Sequence, residues 1–217
     1  MTDTLGIVWH AAELTALDLE GSGAQDREAE AVLEIATVPL AAGQPVLTEA
    51  YTTLINPGRT IPRRPWISPG LRNADLAQAP SLGEVEPELA ARINGRYLVG
   101  HNIGVDWRLL HRRCPSIQPA GLIDTLRLAR PLKLGARNSL TTLLDHFGLT
   151  EQVAAAALHS QPHRALWDTT AAAMLLPILI RRTWKEPPSL AELSRVAALA
   201  VGSQNVGTPV PEVDFLF

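Results

Sequence analysis

Three apolar runs with strand character crowd into the first 55 residues of this 217-residue chain, and that crowding limits the folds open to it. Glu13–Leu19 alternates and then runs apolar, and Ala31–Leu40 and Ala50–Ile55 read as two more strands. The turn sequence AAGQP separates the second from the third. Strands joined this tightly predict an antiparallel start to a sheet. Asn56–Pro69 is rich in Pro and Arg and reads as a surface loop. Beyond it, helical and strand spacing alternate. Leu82–Ile93 has helical spacing, Tyr97–His101 is a short buried strand, Val105–Arg113 is a helix, and Leu122–Leu128 starts as strand and continues helical. Ser139–Phe147 is a helix stopped by Gly148, and Arg164–Arg182 is a long helix led in by Pro162. KEPPS then breaks the chain before a last helix over Ser189–Ala200 and an extended tail. Strands first, then alternation, predict the α/β class: a mixed β-sheet, antiparallel in its first strands and parallel afterwards, flanked by α-helices. The expected organisation is one domain over 1–183, with a C-terminal helix and tail over 184–217.

Composition excludes several classes. The single cysteine, Cys114, rules out an internal disulfide and a cysteine zinc cluster. The longest apolar run, Ala171 to Ile180, is too short to span a bilayer and contains Pro177, so no membrane association is expected. GSG at 21–23 does not satisfy GxGxxG, and no other Gly-rich phosphate loop occurs. The net charge of −3 does not mark a strong polyanion binder, although seventeen of the nineteen basic residues are arginine.

Five residues carry most of the chemical information: Asp18, Glu20, Asp106, His163 and Asp168. On a strand, residues two apart share a face, so Asp18 and Glu20 project side by side while Leu17 and Leu19 face the other layer. Like charges this close repel and raise each other's pKa unless a cation sits between them. Asp106 and Asp168 each fall near a helix start, where acidic groups are favoured for structural reasons alone. His163 lies five residues before Asp168, an offset of roughly 140° on one helix, so it must sit on the preceding loop or first turn to share a site. Singly, each residue has an ordinary structural explanation: a solvated strand end, a helix-start aspartate, a surface histidine. Jointly, four carboxylates suit hard divalent cations, which take oxygen ligands. A two-metal site stabilises both the attacking and the leaving oxygen of a phosphoryl displacement, and a neutral histidine nearby can take a proton from water.

The order and flanks of these residues resemble the DEDDh branch of the 3′–5′ exonucleases, the group that includes RNase T and the proofreading epsilon subunits. The first motif, D-x-E, matches Asp18-Leu19-Glu20 followed by Gly21-Ser22-Gly23. The second, G-H-N-x-x-x-D, matches Gly100-His101-Asn102 through Asp106. The third, H-x4-D, matches His163 to Asp168 in HRALWD. DTLRLARPL and LGARNSLTTLLDHFGL look like the family's linking segments, and the likeness runs over residues 14 to 180. The resemblance implies an RNase H-like fold, two Mg²⁺ or Mn²⁺ ions held by Asp18, Glu20, Asp106 and Asp168, and water activation by His163. It implies stepwise release of nucleoside 5′-monophosphates from DNA 3′ ends, single-stranded or frayed, and a cytoplasmic, nucleoid-associated setting. The tyrosine-using sister branch would have Tyr where this chain has Arg164. Gly21 stands where the family commonly has Thr, and Val105 where it commonly has an aromatic residue, both beside the terminal nucleotide.

Leu19, Gly21, Ser22, Asn102, Trp66 and Arg108 are the expected substrate contacts, and His101 is expected to be structural. Arg59, Arg63, Arg64 and Arg108, Arg112, Arg113 form two basic clusters, with Trp66 and Trp107 as stacking groups or, more plainly, with Trp107 and Trp167 in the core. The tail Glu212–Phe217 is similar to the peptides by which bacterial proteins dock on a sliding clamp or its polymerase, and packing of Phe215, Leu216 and Phe217 on the chain's own domain is the plainer reading. Two other functions stay open at this point: RNase T-like trimming of RNA, and a non-catalytic nucleic-acid-binding module of the same fold.

Overall fold

The alternation of β1 (Leu14–Gly21) decides where the chemistry of this chain sits. The computed structural model describes residues 6–23, 29–62, 70–135 and 137–201. Leu14 and Ala16 on β1 join one apolar cluster, while Leu17 and Leu19 join another on the opposite face of the sheet. Strand β2 (Val32–Ala41) pairs antiparallel with β1, placing Leu14 opposite Leu40, Ala16 opposite Val38, Asp18 opposite Ala36 and Glu20 opposite Glu34. Even positions 14–20 of β1 and 34–40 of β2 therefore share one face. That face is apolar at the start of β1 and acidic at its end.

The sheet runs β3 (Gln44–Pro45), β2, β1, β5 (Tyr97–Gly100), β6 (Gly121–Asp124), β7 (Ala198–Leu199), with β4 (Tyr51–Leu54) also paired to β2. Pairings of β2 with β1, β3 and β4 are antiparallel, those of β1 with β5 and β5 with β6 are parallel, and β7 returns antiparallel to β6. This is the mixed sheet the sequence order predicts.

Helices cover both faces. The long α7 (Ala165–Thr183) lies on the even face of β1 and β2, burying Trp167, Leu175, Leu176 and Leu179 with Leu14, Ala16, Val38 and Leu40. It is apolar around nearly its whole circumference, as a central helix is. The opposite face is covered by α2 (Leu82–Ile93) and α3 (Gly104–Arg113), through Val85, Leu89, Leu109 and Leu110. A capping box starts α2 at Ser81 with Glu84, and Ser139 caps α5 (Leu140–Phe147), which ends on Gly148 at φ 67°.

Three differences from the sequence reading have local causes. The AAGQP turn carries the two-residue strand β3, because Ala42 and Gly43 at positive φ reverse the chain directly onto β2. The helices α1 (Asn73–Ala77) and α6 (Thr150–Ala156) were not foreseen: the first is too short for a periodic signal, and the second is an Ala-rich stretch that buries only Val153. The last helix, α8 (Leu190–Ala197), stops before Ala200 because Ala198 turns extended and β7 pairs with β6. Helix α8 buries Leu190, Leu193 and Ala197 in the same cluster as α7. Among the described residues, no helix is long and apolar enough to cross a membrane.

Candidate active site

Strand periodicity turns Asp18 and Glu20 toward α7, and Asp168 lies in the first turn of that helix. One carboxylate oxygen from each of Asp18, Glu20 and Asp168 lies within 4.8 Å of the others, so segments 150 residues apart in sequence meet at one point. All three side chains are partly exposed.

Asp106 completes the acidic set from α3. Its buried carboxylate accepts a hydrogen bond from the backbone N–H of Leu19, the residue between Asp18 and Glu20. It stands beside the tight triplet rather than within it. The corner that delivers it, Gly100-His101-Asn102, is clamped from β6. Asp124 Oδ1 accepts from the N–H of Asn102 at 2.8 Å and of Leu126 at 2.9 Å. Thr125 Oγ1 donates to the Gly100 carbonyl at 3.1 Å, and the His101 ring bridges Thr125 Oγ1 at 2.9 Å and the Asn138 carbonyl at 2.8 Å. A β-carbon at Gly100 would fall 2.6 Å from Ile103 Cδ1 and 2.9 Å from the Leu17 carbonyl, so the corner admits only glycine. Asn102 takes φ 65°, a left-handed conformation that Asn tolerates well.

Burial and crowding hold Asp18, Asp106 and Asp168 toward their neutral form. Burial first, then the charges of Asp106, Asp168, Glu20 and Glu34, pushes the Asp18 carboxyl well above the usual carboxylate range. Burial pushes Asp106 up to about 8, against the hydrogen bonds it accepts from its own and the Leu19 backbone. Burial pushes Asp168 up to about 7, with the charge of Glu34 adding to it.

His163 sits on the turn before α7, exposed and at φ 65°, and its backbone N–H donates to the Asp168 carboxylate. The next residue, Arg164, grips Glu34 on β2: Nε donates to Oε2 at 2.7 Å and Nη2 to Oε1 at 2.8 Å, and Ala165 N–H donates to Oε2 at 3.3 Å. Glu34 faces Glu20 across the β1–β2 ladder, where two like charges are unfavourable without a cation. Arg164 supplies that cation from the position where the sister branch would carry its tyrosine.

The RNase T-type exonuclease family matches residues 9–176 of this chain. The chain belongs to that family. The exonuclease is 29% identical over 173 residues to the DNA polymerase III subunit epsilon of Aquifex aeolicus, covering 77% of this chain and 80% of that one. It is 32% identical over 173 residues to an epsilon-like protein of Rhodobacter capsulatus, covering 76% of this chain but 24% of the relative. Among solved structures, Exonuclease X in complex with 5′ overhanging duplex DNA superposes with a TM-score of 0.62 at 26% identity, covering 83% of this chain and 99% of that one. The fold of this exonuclease is therefore RNase H-like, and as a member of a hydrolase family it acts on nucleic acid.

Several residues expected at the substrate take other places in the exonuclease. Leu19 turns its side chain into the core, and only its N–H reaches the site. Ser22 is buried and closes the end of the β1–β2 hairpin, its Oγ accepting from Ala31 N–H at 2.9 Å. Gly21 follows a register shift in β1, and a β-carbon there would lie 3.1 Å from Leu109 Cδ2, so the family's usual threonine would press on α3. Trp107 is core: its Nε1–H donates to the Val201 carbonyl at 3.1 Å and its ring stacks on His111. Trp167 is core as well. Asn102 and Arg108 are exposed near the site. Of the two basic clusters, Arg112 pairs with Glu30 at 4.0 Å and Arg113 donates to the Glu30 carbonyl, while Arg63, Arg64 and Trp66 lie outside the described residues. The tail Glu212–Phe217 also lies outside them. Sequence reasoning missed Glu34 and Asp124. A single buried acid in an apolar strand was the available signal for Glu34, and an aspartate at a strand-to-helix junction for Asp124.

Proposed function

We propose that this chain is a metal-dependent 3′–5′ exonuclease releasing nucleoside 5′-monophosphates from DNA 3′ ends. The observation that carries the reading is the convergence of Asp18, Glu20 and Asp168, with oxygens within 4.8 Å of one another. The donor set is all carboxylate, and Asp18 and Asp168 in it are held toward their neutral form, a combination that fits two hard divalent ions such as Mg²⁺ or Mn²⁺. Asp18, Glu20, Asp106 and Asp168 would hold them. Such ions, when bound, polarise the phosphoryl group and make water a stronger nucleophile.

The remaining work falls to the chain itself. His163, held at the site's edge through its backbone bond to Asp168, takes the proton of the attacking water on a ring nitrogen. Arg164 and Glu34 fix the turn that presents it. Asn102 and Arg108, exposed beside the Asp106 corner, contact the terminal nucleotide and its neighbour. DNA is favoured as substrate because one relative at 29% identity is named a DNA polymerase III subunit and a solved structure at 26% identity is Exonuclease X with duplex DNA.

End-labelled single-stranded DNA, duplex DNA with a mismatched 3′ terminus, and RNA of the same sequence, each incubated with Mg²⁺ and with EDTA, test this reading. Mg²⁺-dependent release of deoxynucleoside 5′-monophosphates, faster from DNA than from RNA, is expected. Preferential digestion of RNA would reassign the substrate, and activity that survives EDTA would dismiss the metal reading.

A further inference from the structure

From Thr125 to Leu144 the chain carries four basic residues, Arg127, Arg130, Lys133 and Arg137, and no acidic one, although acids outnumber bases over the whole sequence. This connector leaves the C-terminal end of β6. Because β1, β5 and β6 are parallel, that is the same sheet edge on which β1 presents Asp18 and Glu20. In open α/β sheets, ligands bind in the crevice outside the carboxyl ends of such strands.

The connector is also fastened to the catalytic corner at both of its ends. Thr125 bonds the Gly100 carbonyl and the His101 ring at one end, and the Asn138 carbonyl takes the other ring nitrogen at the far end. Arg130 lies close enough to that ring for its charge to act on it. Arg127 is committed elsewhere, donating to the Ala198 carbonyl at 2.5 Å. The other three cations are exposed, and among the described residues none of them forms an ion pair. Of the other arginines near the site, Arg164 pairs with Glu34, and Arg112 and Arg113 with Glu30, while Arg108 is exposed beside the Asp106 corner. A polyanion approaching four crowded carboxylates needs compensating charge along its path, and the exposed cations of this connector offer it on one rim.

We propose that Arg130, Lys133 and Arg137 form a shelf that holds backbone phosphates of the single strand whose 3′ end lies at Asp18, Glu20 and Asp168. The inference rests on the exonuclease reading above and adds the track of the strand outside the catalytic pocket. Cationic tracks of this kind bind strands without reading sequence, and their affinity is salt-dependent.

The test uses the full chain and the triple variant Arg130→Gln/Lys133→Gln/Arg137→Gln. A second triple variant, Arg181→Gln/Lys185→Gln/Arg195→Gln, removes equal charge from the last turn of α7, the segment after it and α8. Binding of a fluorescein-labelled oligothymidine of about 15 nucleotides is followed by anisotropy in EDTA, where nothing is cleaved, across a salt series. The shelf variant is expected to bind about 10-fold or more weakly, with the slope of log K against log salt reduced by about 2, since each lost phosphate contact on a single strand removes about 0.7. The control variant is expected to match the parent. In Mg²⁺, the loss of kcat/KM on the oligonucleotide should exceed the loss on thymidine 5′-(p-nitrophenyl phosphate), which has no neighbouring phosphates to hold. An unchanged salt slope in the shelf variant, or an equal loss in the control, overturns the shelf. A parent protein that binds the oligonucleotide through the shelf yet releases no mononucleotide from any substrate overturns the exonuclease reading and leaves the shelf standing.

Discussion

Arg164 and Glu34 form a bidentate ion pair at the back of the acidic site, Nε to Oε2 at 2.7 Å and Nη2 to Oε1 at 2.8 Å, between a helix start and a strand 130 residues apart. Glu34 is almost fully buried, with its side chain 6% exposed, so removing its partner leaves an uncompensated charge in the interior. Arg164→Met should therefore cost about 3 kcal/mol of stability, read from denaturant midpoints. It should also lower kcat, because the turn that carries His163 loses its anchor. Arg164→Lys keeps the charge but not the fork, and should recover stability more than rate. A variant of parental stability and parental kcat would show that the pair positions nothing.

Asp18 sits among four other carboxylates and gains from being neutral when no metal is bound. Asp18→Asn should abolish Mg²⁺-dependent hydrolysis while leaving the metal-free protein at least as heat-stable as the parent. A lower melting temperature in EDTA would mean that the carboxylate makes a stabilising contact instead of a repulsive one. Asp168→Asn should match it in activity.

The raised values of about 7 for Asp168 and about 8 for Asp106 set a pH dependence with a definite sign. An unfolded aspartate titrates near about 4, so between roughly pH 4 and 8 the folded protein holds more protons than the unfolded one. The stabilising contribution is fully present below that lower limit and is lost as pH rises through the folded values. In EDTA the melting temperature should fall between about pH 4 and 8, and saturating Mg²⁺ should flatten the fall by neutralising the charged set. Calorimetry across that range decides it; a metal-free melting temperature that climbs instead would contradict the burial of these acids.

His163 is exposed and bonded to Asp168 only through its backbone. His163→Ala should lower kcat by about 10²–10⁴-fold. Divalent ion binding, followed by titration calorimetry, should persist, since the carboxylates are untouched. Loss of ion binding along with rate would make the imidazole a ligand and not a proton carrier.

Local periodicity made a large share of this molecule legible in its sequence. Alternation in LTALDLEG placed Asp18 and Glu20 on one face of a strand, and the offset of His163 from Asp168 placed the histidine ahead of the helix, as the structure has them. Helical spacing over Leu82–Ile93 matches α2, and the helix expected over Ser139–Phe147 begins at Leu140 with Ser139 as its cap. The role of Leu19 was not legible, because what matters there is a backbone N–H that any residue would supply. Nor was Ser22, whose hydroxyl is consumed by Ala31 across a hairpin end.

What the chain determines by itself is the identity of its acids and the face each presents, since both follow from covalent order and the two- and 3.6-residue repeats of local backbone geometry. Only the tertiary structure decided that β1, α3 and α7 bring those acids to one edge of the sheet, that Glu34 would stand opposite Glu20, and that Arg164 would answer it. These are through-space relations between segments tens to more than a hundred residues apart. Burial and charge, which set the pKa values and the strength of each pair, exist only once the segments have met.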